Sequence, residues 1–162
     1  MATANKNLSD HSSRNMSGAS DKRFAVLVSE WNEEVTEALY EGAYSTLLRN
    51  GVLRENIIKE YVPGSFELPL AAQWMAERQD VDAVICLGCV IQGETRHFDF
   101  INSAVAHGIT NVGLKYDKPV IFGVLTPENQ KQALERAGGR HGNKGDEAAF
   151  AAIKMLSLKS RM

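Results

Sequence analysis

Phe24-Ala-Val-Leu-Val28 is a continuous apolar run of the kind expected from a strand buried on both faces. After it, Val35, Leu39, Ala43 and Leu47 recur at four-residue steps and predict a helix with one apolar stripe. Asn32 is placed to cap that helix, Glu33 and Glu34 suit the positive end of its dipole, and Asn50-Gly51 ends it. A second strand is predicted from about Asn56 to Val62, closed by Pro63-Gly64, and a helix follows through Leu68, Ala71, Ala72 and Met75. Pro69 is tolerable there in the first turn, where no intrahelical partner is lost. The third strand spans Asp82 to Gly88, and the next helix carries Ile101, Val105, Ile109 and Val112. Pro119 to Leu125 forms the fourth strand, and Thr126-Pro127-Glu128 starts a helix with proline at its first position. Gly138 to Gly145 reads as a glycine-rich loop carrying Arg140, His141 and Lys144, before an alanine-rich helix from about Asp146 to Leu158.

Four strands alternating with helices predict an α/β fold, a four-stranded parallel sheet covered on both faces. Right-handed crossovers then collect the turns after all strands at one edge, where such sheets bind ligands. The periodicity shows no internal repeat, so residues 23–162 read as one domain preceded by a flexible arm, residues 1–22.

Composition narrows the partners. The chain has 162 residues, 44% apolar and 23% charged, with a net charge of −2. That balance gives no electrostatic reason to expect nucleic acid or an anionic membrane. No apolar run approaches a bilayer span. The arm has hydroxyls and few acids, as transit peptides do, but only Lys6, Arg14 and Lys22, no apolar centre and no amphipathic repeat. The expected location is the cytoplasm. Cys86 and Cys89 form a lone C-x-x-C that lies in and just beyond a strand, not at the helix start a redox pair uses. With no second pair for zinc, they read as small apolar fillers.

Candidate chemistry gathers in Gly88-Cys-Val-Ile-Gln-Gly93-Glu-Thr-Arg-His97-Phe98, between the third strand and its helix. The spacing Gly88-x4-Gly93 is that of a P-loop, but Glu94 stands where lysine is required, which argues against nucleoside triphosphate hydrolysis. Backbone N–H groups near Glu94 and Thr95, with the Thr95 hydroxyl, still suit a phosphate. His97 is of the residue type best suited to both accepting and donating protons in a site. Trp31, after the first strand, either lids the core or stacks on a flat heterocycle. Gly64, Ser65 and Glu67, after the second, either build a turn and complement a dipole or approach and hydrogen-bond a polyol. Arg136 and Lys144 read by pattern alone as solvated surface charges. His107 reads as structural, and no histidine or acidic cluster suggests a metal.

Three segments together resemble the lumazine synthase family, whose members make 6,7-dimethyl-8-ribityllumazine late in riboflavin biosynthesis: Val62-Pro-Gly-Ser-Phe-Glu-Leu-Pro69, Leu87 to Asp99, and Glu135 to Gly145. The similarity covers about Phe24 to Leu156. It implies a flavodoxin-like three-layer αβα sandwich with the first strand inside the sheet. It also implies an enzyme, a transferase, that joins 5-amino-6-(D-ribitylamino)uracil to 3,4-dihydroxy-2-butanone 4-phosphate without cofactor or metal, releasing phosphate and water. Carried over, Trp31 stacks on the pyrimidine (phenylalanine is common there), Gly64, Ser65, Phe66 and Glu67 hold the ribityl side, and Val90 and Ile91 flank the ring. Gly93, Glu94 and Thr95 match the phosphate turn, and His97 the proton-transfer histidine. Phe122, Arg136 and Lys144 come from the adjacent subunit of a homopentamer, Arg136 pairing with the phosphate. This reverses the bland reading of both cations.

Gln92 departs from the family, which usually has arginine there. The short Gly138–Gly145 loop and the proline-free arm favour an icosahedral 60-mer over a lone pentamer, and riboflavin synthase is a further expected partner. Two rival functions are a non-catalytic flavin-binding module and a shell protein without activity. Neither needs a phosphate cation beside a proton shuttle, so Glu67, Thr95, His97, Arg136 and Lys144 together speak against both.

Overall fold

A computed structural model describes residues 19–162. Its order is β1 (Phe24–Ser29), α1 (Glu33–Arg49), β2 (Ile57–Val62), α2 (Leu68–Glu77), β3 (Ala83–Cys89), α3 (His97–Tyr116), β4 (Val120–Leu125), α4 (Gln130–Glu135), β5 (Ala137–Gly139), β6 (Gly142–Asn143) and α5 (Lys144–Lys159). The first four strands form one parallel sheet in the order β2-β1-β3-β4, so β1 is internal as expected.

Alternation along the two central strands divides the core into two layers. Phe24, Val26 and Val28 of β1 and Ala83, Ile85 and Leu87 of β3 pack with Val35, Leu39, Ala43 and Leu47 of α1 and Ala149, Ala152 and Ile153 of α5. Ala25, Leu27, Val84 and Cys86 face the other way, onto Leu68 and Ala72 of α2 and Val105 and Ile109 of α3. The two layers make the fold a flavodoxin-like αβα sandwich. Every residue of β1 and β3 is buried, which explains why both read as unbroken apolar runs.

Several boundaries differ from expectation. Arg54–Asn56 forms a turn of 3₁₀ helix, so β2 begins at Ile57. Pro127 lies outside α4: its carbonyl accepts from the Gln92 amide at 2.9 Å, extending the β3–β4 pairing, and Asn129 caps the helix by accepting from the Gln132 amide. The glycine-rich loop is a small antiparallel hairpin, β5–β6, and α5 starts at Lys144, two residues before Asp146. Of the expected arm, residues 19–22 form a turn held to the domain by Asn56, whose amide donates to the Ser20 carbonyl at 3.3 Å. Residues 1–18 lie outside the described residues.

The hairpin is locked by Asn143. Its side-chain oxygen accepts from the Gly145 amide at 2.8 Å and the Asp146 amide at 3.4 Å, capping α5, while its nitrogen donates to the Ala38 carbonyl of α1 at 2.7 Å. A Cβ on Gly42 would strike this amide, and one on Gly145 would strike the Leu39 carbonyl. Backbone-to-backbone contact of that kind cannot be relieved by a rotamer change. Gly145→Ala is therefore expected to cost about 2 kcal/mol or more in urea unfolding. Gly93→Ala, where a Cβ meets nothing within 4 Å, should stay within about 0.5 kcal/mol of the parent.

Candidate functional site

Strand direction brings the ends of β1, β2 and β3 to one edge, and the side chains there meet across the turns. Trp31 follows β1 and is 73% exposed. Its Cδ1 lies 3.4 Å, and Glu67 Oε2 3.1 Å, from the point a Cβ on Gly64 would occupy. Trp31, Gly64 and Glu67 therefore share one small space: a Cβ at 64 would crowd the Glu67 carboxylate and come into contact with the Trp31 ring. Phe66 is 56% exposed beside them in sequence, while Ser65 is buried. The Ser65 hydroxyl sits 2.5 Å from a Cβ position on Gly88, and none of the described residues hydrogen-bonds it. Gly88 thus makes room for a buried polar atom beneath the turn.

Asn32 behaves differently from the expected cap. It adopts the left-handed conformation (φ 60°, ψ 47°), and its side chain makes no capping bond. Instead its amide donates to the Cys89 carbonyl at 2.8 Å. That bond ties the Trp31 turn to the end of β3, where Val90 and Ile91 begin. The sequence signal was present but ambiguous, because asparagine suits both a cap and a left-handed turn.

Beyond β3 the chain stays extended. The Val90 amide donates to the Leu125 carbonyl at 2.9 Å, and half-buried Val90 and Ile91 pack on opposite core layers. Gly93, Glu94, Thr95 and Arg96 then form an exposed turn. Among the described residues none accepts from the backbone N–H groups of these four. The Thr95 hydroxyl accepts from the His97 amide at 3.4 Å, and His97, exposed, opens α3. Arg96 Cζ lies 5.6 Å from the Phe100 ring centre, so this side chain points along the helix. The turn can present N–H donors and a helix N-terminus to an anion, with an imidazole beside them.

Arg136 and Lys144 lie elsewhere. Arg136 Nη1 donates to the His141 carbonyl at 2.5 Å and Nη2 to Glu147 Oε1 at 2.7 Å; Lys144 Nζ reaches Glu147 Oε2 at 3.3 Å. This cluster sits on the hairpin and α5, in the layer containing α1, whereas the Gly93–His97 turn leads into α3 in the opposite layer. Phe122 faces the α2–α3 layer from edge strand β4, half-buried. The single chain brings together Trp31, Gly64 and Glu67, and places Ser65 under Gly88. It does not bring Arg136 and Lys144 to the turn. Glu147 was not anticipated; its spacing from Lys144, three residues along a helix, was the available signal.

A cavity of about 410 Å³ lined by Ser29, Glu30, Thr36 and Tyr61 lies at the ends of β1 and β2. A groove of about 530 Å³ lined by Thr110, Val120, Met155 and Leu158 lies by the start of β4, at the other end of the sheet. Cys86 and Cys89 are both free and buried. Three residues apart on one strand, they point to opposite faces and cannot pair. Burial pushes the Cys89 thiol up to about 11 and Cys86 further still. Among the described residues no group of three or more histidine, cysteine, aspartate or glutamate side chains is placed to hold a metal, and no helix is long and apolar enough to cross a membrane.

Comparison with known proteins gives a consistent result. The family model for 6,7-dimethyl-8-ribityllumazine synthase matches residues 21–160. A protein of that name from Cytophaga hutchinsonii is 62% identical, covering 97% of this chain and 98% of the relative. Those from Parabacteroides distasonis and Porphyromonas gingivalis are 51% and 52% identical, over 99% and 98% of this chain and 100% and 99% of their own lengths.

The two functions of Asn32 can be separated by substitution. Asn32→Gly tolerates the left-handed backbone and removes only the bond to Cys89, an expected loss of about 1 kcal/mol. Asn32→Ala adds the left-handed penalty, about 1 kcal/mol more. Equal unfolding midpoints for the two variants would show that the backbone conformation contributes nothing.

Proposed function

The chain belongs to the 6,7-dimethyl-8-ribityllumazine synthase family and is an enzyme, and from that premise we propose that it condenses 5-amino-6-(D-ribitylamino)uracil with 3,4-dihydroxy-2-butanone 4-phosphate, as a step of riboflavin biosynthesis in the cytoplasm. The observation that carries this reading is the run of open backbone N–H groups from Gly93 to Arg96, ending at His97 on the edge shared by Trp31 and Glu67. An anion acceptor, a proton-transfer group, an aromatic plane and a polyol acceptor are what these two substrates require.

In this reading Trp31 stacks on the pyrimidine, with Val90 and Ile91 flanking it. Ser65 and Glu67, with the Gly64–Phe66 backbone, hold the ribityl chain. The butanone phosphate rests against Gly93, Glu94 and Thr95. The 5-amino group attacks the ketone carbon; loss of water gives the imine, and phosphate leaves by elimination. The ribitylamino nitrogen then closes the ring with loss of a second water. His97 moves protons in these steps, and Arg136 with Lys144 stabilises the charge on the departing phosphate. Holding both reactants in one pocket supplies a further part of the acceleration.

Arg136 and Lys144 occupy the layer opposite the turn in their own chain, which supports a site shared between subunits, with Phe122 also supplied by the neighbour. The unit is then a homopentamer, twelve of which form an icosahedral 60-mer, with riboflavin synthase as a further partner.

Mixing the two substrates with purified protein should produce lumazine absorbance and phosphate together. His97→Ala should slow turnover by about 10²-fold or more, with assembly intact by sedimentation. A complementation experiment tests the shared site directly. Co-assembling His97→Ala chains with Arg136→Gln chains in equal amounts should restore about a quarter of the sites, because an interface repeated head-to-tail pairs each intact turn with an intact cation at random. No recovery above the separate variants would place the whole site in one chain.

A further inference from the structure

The phosphate cations of the proposed site are already engaged within their own chain. Arg136 and Lys144 share the Glu147 carboxylate, one on each oxygen, at 2.7 and 3.3 Å. All three side chains are largely shielded, with 23%, 28% and 19% of their surfaces exposed respectively. The arrangement is not a loose surface pair. Arg136 Nη1 is fixed by the His141 carbonyl, and the Lys144 amide is bonded to the Arg136 carbonyl at 2.9 Å, so the backbone holds both cations in register with Glu147. Glu147 stands in the first turn of α5, on the helix that Asn143 anchors to α1.

We infer that Glu147 is the internal counter-ion of this phosphate clamp. It aims the Arg136 guanidinium and the Lys144 ammonium and cancels one of their two charges, setting how tightly phosphate is held and how readily it leaves. The inference rests on the proposed role of Arg136 and Lys144 and extends it to a residue that does not touch the substrate. Two uncompensated cations would hold a phosphate dianion strongly, and a product bound that way leaves slowly. A guanidinium carries five N–H donors, and among the described residues only two are occupied, so phosphate can bind while Glu147 keeps its grip. Glu147 is thus a positioning and charge-setting residue.

Inorganic phosphate is the probe, titrated calorimetrically into the assembled parent enzyme and into three variants whose assembly is checked by sedimentation. Glu147→Gln keeps the length and an acceptor but removes the charge, and should bind phosphate about tenfold more tightly than the parent. Glu147→Asp keeps the charge and should stay close to the parent. Arg136→Gln should bind phosphate more weakly. Glu147→Leu, similar in volume and also uncharged, carries the same prediction as the glutamine variant should that variant fail to assemble. Unchanged or weaker binding in the uncharged variant overturns the counter-ion role, as does equal tightening in Glu147→Asp. In either case weaker binding in Arg136→Gln leaves the phosphate role of the cations standing. Parent-like binding in Arg136→Gln removes that role, and the inference with it.

Discussion

Burying β1 and β3 on both faces is the constraint from which the remaining arrangement follows. A strand with apolar contacts on either side and a hydrogen-bonded neighbour at each edge has no lateral surface left for chemistry. Polar function is pushed to the strand ends, and parallel direction places every carboxyl end on the same side. The central strands therefore position Trp31 and the Gly93–His97 turn without contributing a reactive side chain themselves, and edge strand β2 sets the Gly64–Glu67 turn beside them. Even Cys86 and Cys89, the nucleophilic residues on β3, are divided between the two core layers and kept as thiols by burial.

The same sandwich separates the cations from the anion-ready turn. Hairpin and α5 belong with α1, while the turn runs into α3 behind the sheet. Within one molecule the sheet stands between the two layers, so the proposed chemistry depends on a second copy presenting its opposite layer. In the proposed reading, oligomerisation is a catalytic requirement that follows from layer order.

Much of the fold could be read from the chain because its strongest signals are core signals. Val35, Leu39, Ala43 and Leu47 form the stripe their spacing predicts, and all are buried. The misplacements came where a residue type serves two geometries. Proline at 127 suits a helix start, but Asn129 makes the cap. Glycines 138 to 145 suggest a loop, but side-chain-free positions also let a hairpin lie against α1. Asn32 looked like a cap and became a bridge. The grouping of Trp31 with Gly64 and Glu67 was legible because strand ends converge by rule. The pairing of Arg136 and Lys144 through Glu147 was only half legible: Lys144 and Glu147 stand at helical spacing, but nothing in the pattern links Arg136 to them. Only resemblance to a known family gave those cations an expected purpose.

Asn143 joins two stretches that are far apart in sequence, residues 38–42 and 143–146. Its amide caps α5, donates to α1 and fills the notch left by Gly42, while Gly145 passes under the Leu39 carbonyl. Substitutions at 42, 143 and 145 therefore cannot be independent of one another. A larger residue at 42 becomes acceptable only after the amide at 143 is lost, and losing that amide frees the hairpin carrying Arg136. Across descendants of this chain the three positions should change together or not at all, giving the junction a signature visible in sequences alone.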